Sequence, residues 1–140
     1  MTQKDKELLI KDLCARLPYG VKVKLGDNPN IYDLEYRIKF AIMYGDSDKL
    51  EDILDITNIK PYLFPMSSMT EEQRKELEEL YLGYYVTCQD IDDDGYIWGE
   101  DVFEMIPCTE TDDWLNKNHF DYRGLIPRNL ANDATGLNIY

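Results

Sequence analysis

The sequence predicts an α+β fold in which an N-terminal helix packs on a small antiparallel β-sheet and a mostly helical C-terminal half follows. Three patterns carry that expectation. Apolar residues recur every three or four positions over residues 4–17, they alternate with charged residues over 21–25 and 32–44, and a capping signature at Thr70 opens a second helical stripe. A single domain spanning residues 1–140 is expected, with 1–64 supplying the helix and small sheet and 65–140 a helical half that carries an acidic loop.

In the first segment Leu9, Leu13 and Leu17 share a face with Ile10 and Cys14 while Lys and Asp fill the other, the pattern of an amphipathic helix ended by Pro18-Tyr19-Gly20. Val21, Val23 and Leu25 alternate with Lys22 and Lys24 as a half-buried strand does. Gly26-Asp27-Asn28-Pro29-Asn30 has the turn chemistry to reverse it. Alternation then continues through Tyr32, Leu34, Tyr36, Ile38, Phe40, Ile42 and Tyr44, against Asp33, Glu35, Arg37 and Lys39. A long strand is expected there, with a bend or bulge near residues 39–41 because strands usually run about five or six residues. Gly45-Asp46-Ser47-Asp48 reads as a turn, Leu50, Ile53 and Leu54 as one or two helical turns, and residues 56–63 as extended, since Pro61 disfavours helix at Lys60.

Thr70 with Gln73 three residues later forms a capping box. The helix it opens carries an apolar stripe of Leu77, Leu80, Tyr81, Tyr84 and Cys88. Glu71, Glu72, Glu76, Glu78 and Glu79 crowd its first half, where negative charge suits the positive end of the helix dipole. Beyond an acidic loop, residues 102–106 read as a short helix stopped by Pro107, residues 114–118 as another capped by Thr111, and residues 127–131 as a last turn. Residues 132–140 read as a frayed tail.

Charge is distributed unevenly. Of the net −13, residues 70–113 alone contribute −13, because fifteen acids there meet only Arg74 and Lys75, while residues 1–69 carry −1 and residues 114–140 carry +1. Phosphate contacts need Lys and Arg, so neither nucleic acid nor an anionic membrane is an expected partner for that face. A basic protein or a cation is. A solvated surface that only aids solubility is the plainer alternative. No run approaches the roughly 18 apolar residues of a membrane span, and a cytoplasmic location is expected. Three dispersed cysteines, Cys14, Cys88 and Cys108, with no CxxC pair, read as reduced and mostly buried thiols.

The sharpest local pattern is Asp90-Ile91-Asp92-Asp93-Asp94-Gly95-Tyr96-Ile97-Trp98-Gly99-Glu100-Asp101, which resembles the calcium loop of the EF-hand family. Asp90, Asp92 and Asp94 fall at the first, third and fifth ligand positions, Tyr96 at the backbone-carbonyl position and Asp101 at the twelfth. Asp101 replaces the usual bidentate Glu, and its shorter reach weakens calcium and favours magnesium. The other reading is an ordinary Asp-rich loop, since EF-hands pair and a single loop is present. No cofactor besides calcium or magnesium is suggested. No GxSxG, P-loop or GxGxxG string occurs, and the lone His119 cannot build a His-based zinc site. His119 with Asp121 is the remaining acid–base pair to consider, against a structural histidine.

Two strings are distinctive, Ile59-Lys60-Pro61-Tyr62-Leu63-Phe64-Pro65-Met66-Ser67-Ser68-Met69-Thr70-Glu71-Glu72-Gln73 and Asp113-Trp114-Leu115-Asn116-Lys117-Asn118-His119-Phe120-Asp121-Tyr122-Arg123-Gly124-Leu125-Ile126. With Leu17-Pro18-Tyr19-Gly20-Val21 they resemble a group of short uncharacterised proteins of Bacteroides-type gut bacteria and their prophage-like elements. The resemblance implies a bacterial or phage cytoplasmic protein and carries no activity with it. In the second string Trp114, His119, Phe120, Tyr122 and Arg123 combine the side chains that dominate binding hot spots, or else Trp114, Phe120 and Tyr122 close the core over the first sheet. The leading expectation is a non-enzymatic acidic interaction module whose face includes Glu71, Glu72, Glu76, Glu79, Asp93 and Glu100. An inhibitor that imitates nucleic-acid charge is one specific form, and a divalent-cation protein is the alternative.

Overall fold

The computed structural model describes residues 1–44, 55–80 and 109–140. Expectations for the helical turns at Leu50, Ile53 and Leu54, for Tyr81, Tyr84 and Cys88, for the acidic loop, and for residues 102–106 lie outside the described residues.

Helix α1 (Gln3–Arg16) begins at a capping box. The Thr2 hydroxyl accepts the Asp5 N–H at 3.1 Å, and the Asp5 carboxylate accepts the Thr2 N–H at 3.0 Å. The same Thr2 contacts hold the Asp5 carboxyl below its ordinary pKa. The arc that faces inward is Leu9, Asp12, Leu13 and Arg16, rotated away from Ile10 and Cys14, both of which are exposed. Cys14 is therefore not the buried thiol expected from its apolar neighbours. Asp12 and Arg16 take the buried places as an ion pair one helical turn apart, Arg16 Nε to Asp12 Oδ2 at 2.8 Å. A short 3-10 turn (Leu17–Tyr19) then ends at Gly20, whose φ of 70° is left-handed backbone where a side chain is strained.

Strands β1 (Lys22–Leu25) and β2 (Ile31–Asp33) form the expected hairpin, with Val23 opposite Tyr32. Strand β3 (Ile59–Leu63) pairs antiparallel with the other edge of β1, Val23 opposite Pro61. The two-residue β4 (Asn132–Asp133) runs parallel to β3, so the sheet order is β2-β1-β3-β4 and the sheet is mixed. Residues 132–140 are thus not a frayed tail. The Ala134 N–H donates to the Leu63 carbonyl at 2.8 Å, and Ala131 and Ala134 are buried.

The long strand expected over residues 32–44 is the main correction. Pairing stops at Asp33, whose side chain accepts the Tyr36 N–H at 3.2 Å, and Leu34–Tyr44 is helix α2. The segment fits both periods. Leu34 and Ile38, one helical turn apart, face the core, Glu35 and Lys39 form an i,i+4 ion pair at 2.6 Å, and Tyr36, expected on the buried face, is 67% exposed.

The second half contributes α3 (Glu71–Leu80) and α4 (Thr109–Lys117), which pack against each other. Helix α4 starts before Thr111, which is buried within it rather than capping it. Among the described residues two apolar clusters form the interior. One joins Leu9 and Leu13 to Val21, Val23, Ile59 and Leu63, and Leu125 and Leu130 complete it from the far end of the chain. The other gathers Met66, Met69, Leu77, Leu115 and Phe120 under α3 and α4. Each side chain of this size contributes about 1.5–3 kcal/mol when fully buried. The architecture is α+β, and among the described residues no helix is long and apolar enough to cross a membrane.

Candidate interaction surface

Local sequence sets the orientation of α3. Thr70 and Gln73 close the expected capping box, with Thr70 N–H to Gln73 Oε1 at 2.9 Å and Gln73 N–H to Thr70 Oγ1 at 3.2 Å. Leu77 is 1% exposed and anchors the helix in the second cluster. With that side fixed inward, Glu71, Glu72, Glu76 and Glu79 are exposed and Glu78 is half-buried. On α4, Thr111 and Leu115 are buried one turn apart, which leaves Asp113 exposed and Asp112 half-buried. Among the described residues none of these carboxylates forms an ion pair. Trp114 joins the helices, since its indole N–H donates to Glu76 Oε2 at 3.3 Å and its ring stacks on Phe120 at 5.8 Å.

Tyr122 and Arg123 take part in a buried polar knot. Asp12, fully buried, accepts Arg16 Nε on one oxygen and Arg123 Nη1 on the other, both at 2.8 Å. Arg16 also donates to the Phe120 carbonyl at 2.6 Å. Both guanidinium groups lie over the Tyr122 ring, Arg16 at 5.6 Å and Arg123 at 4.5 Å from its centroid. Burial holds the Tyr122 phenol above its ordinary pKa, and the phenol donates to Asn116 Oδ1 at 3.2 Å. Charge complementarity ties α1 to the segment after α4. The sequence signal for it was an Asp and an Arg four apart on an otherwise apolar arc.

His119 ends α4. Its N–H donates to the Asn116 carbonyl and the Phe120 N–H to the Leu115 carbonyl, the two bonds of a Schellman cap, with His119 at φ 61° where glycine is usual. The Phe64 N–H donates to the His119 carbonyl and the Asp121 N–H to the Phe64 carbonyl, each at 2.8 Å, fastening the cap to the end of β3. The imidazole is buried, stacks on Tyr140 at 3.6 Å, and its Nδ1 has no hydrogen-bond partner among the described residues. Desolvation, with Arg16 and Lys22 nearby, lowers its pKa to about 4. The Asp121 carboxylate instead accepts the Leu125 and Ile126 N–H groups at 2.8 Å each, and burial raises its pKa. His119 and Asp121 therefore do not form an acid–base pair.

The metal-ligand positions Asp90, Asp92, Asp94, Tyr96 and Asp101, and the interaction residues Asp93 and Glu100, lie outside the described residues. Among the described residues no cluster of three or more His, Cys, Asp or Glu side chains is placed to hold a metal ion. No family model, no curated protein and no solved structure matches the chain.

Proposed function

We propose that the protein is a non-enzymatic interaction module that presents the carboxylates of α3 and α4 to a basic protein partner. One observation supports this reading: Glu71, Glu72, Glu76, Glu79 and Asp113 stand exposed on two abutting helices, without ion-pair partners among the described residues. Unpaired charge of one sign raises the encounter rate with an oppositely charged surface and repels like-charged ones. A cytoplasmic setting in a bacterium or phage accompanies this proposal.

The test begins with affinity capture from the native host, identification of the bound protein, and measurement of its association rate over a salt series. The partner is expected to be basic. Replacing Glu71, Glu72, Glu76 and Glu79 with Gln is expected to slow association at least about tenfold at low salt and to flatten its salt dependence. Association unaffected by the four substitutions refutes the reading. A second reading, cation binding by Asp90, Asp92, Asp94 and Asp101, is supported by ligand spacing alone. Calorimetric titration with calcium and with magnesium tests it, and absence of heat at millimolar metal removes it.

A further inference from the structure

Beside the cap of α4 lies a cavity of about 520 Å³, within the range of roughly 300–1,000 Å³ typical of small-molecule sites. Aromatic rings line one part of its wall, and Ser68, Gln73, Asn118 and Thr135 line another. Phe64 packs between Phe120, at 6.2 Å, and Tyr140, at 5.9 Å, and the His119 imidazole lies against the Tyr140 ring. Tyr140 is fixed there by its hydroxyl, which donates to the Tyr62 carbonyl at 2.7 Å and accepts the Lys22 N–H at 2.8 Å. Burial pushes this phenol up to about 12, so it remains a donor.

Three features separate this cavity from ordinary packing. First, among the described residues no Asp or Glu side chain lines the cavity, and Lys117 supplies its one charged side chain. Second, His119 is 7% exposed, lines the cavity, and its buried Nδ1 has no hydrogen-bond partner among the described residues. Third, that histidine occupies a left-handed cap position that glycine fills at lower cost, and such backbone cost is retained where the side chain has a use.

We propose that this cavity binds a small planar aromatic carboxylate, its ring against Phe64, Phe120 and Tyr140 and its anionic group at Lys117. The imidazole, neutral near pH 7, adds polar capacity without a second charge. Apolar walls supply the affinity, and the single cation selects the sign of the ligand. This inference does not depend on the carboxylate surface of α3.

Indole-3-carboxylate, neutral indole and cationic tryptamine are suitable probes, each titrated into the whole chain and followed by backbone amide shifts. The carboxylate is expected to give saturable shifts at Phe64, Lys117, His119 and Tyr140, indole weaker binding, and tryptamine the weakest. Lys117→Gln, at an exposed position, is expected to weaken the carboxylate about two- to five-fold and to leave indole unchanged. Thr135→Trp and Ser68→Trp, substitutions at exposed lining residues, are expected to abolish binding while preserving the amide spectrum elsewhere. The proposal is overturned if the carboxylate gives no saturable shift, if tryptamine or indole binds as tightly, or if binding survives in a filling variant that retains the native spectrum.

Discussion

Replacing Asp12 with alanine leaves Arg16 without the carboxylate that pairs with it. Arg16 is fully buried, and its remaining contacts are the neutral Phe120 carbonyl at 2.6 Å and the Tyr122 ring at 5.6 Å. Arg123 loses its 2.8 Å bond as well, although it is 13% exposed and reaches water more readily. Removing one member of a buried pair costs about 3–5 kcal/mol, because the charge left behind stays desolvated. A domain of this size has about 5–15 kcal/mol in total, so Asp12→Ala is expected to remove about a fifth or more of the stability. Urea unfolding followed by tryptophan fluorescence measures it. The mechanism also predicts partial rescue: Arg16→Met in the Asp12→Ala background removes the stranded charge and is expected to recover more than half of the loss. A loss below about 1 kcal/mol, or a double variant no more stable than Asp12→Ala, refutes the reasoning.

His119 makes stability depend on pH with a defined sign. Its pKa falls from 6.5 in the unfolded chain to about 4 in the fold, so the unfolded state binds the extra proton first. The contribution is fully present above pH 6.5 and is lost as pH falls through about 4, totalling about 3 kcal/mol. Asp121, raised by burial, works in the opposite direction, its contribution being lost as pH rises from 3.8 through its folded pKa. Comparison with His119→Asn, which tolerates the left-handed cap and does not titrate, isolates the imidazole; equal pH slopes for the two proteins refute the assignment. Thr70→Ala removes the hydroxyl half of the α3 capping box and is expected to cost about 1 kcal/mol in urea unfolding; no change places the anchor of α3 in Leu77 alone. Cys14, exposed at the surface of α1, is expected to react with iodoacetamide in the folded protein, and peptide mapping that finds it modified only after unfolding contradicts that placement.

Features set by neighbours in sequence were legible in the sequence alone. The first helix, the hairpin of Val23 and Tyr32, the extended segment at Ile59 and the capping box of Thr70 and Gln73 all depend on contacts within a few residues, so periodicity and turn chemistry suffice to locate them. The same holds for the glutamates of α3, whose exposure follows from the spacing around Leu77. What only tertiary structure decided is how distant segments compete for one interior. Residues 34–44 fit either period, and helix won because Leu34 and Ile38 meet the core together while Asp33 caps the turn. Asp12 and Arg16 displaced Cys14 from the buried face of α1 because Arg123, more than a hundred residues away, and the Phe120 carbonyl supply partners that no local pattern announces. Residues 132–140 became ordered through the free edge of β3 and the groups that hold the Tyr140 hydroxyl, contacts that exist once the sheet has formed.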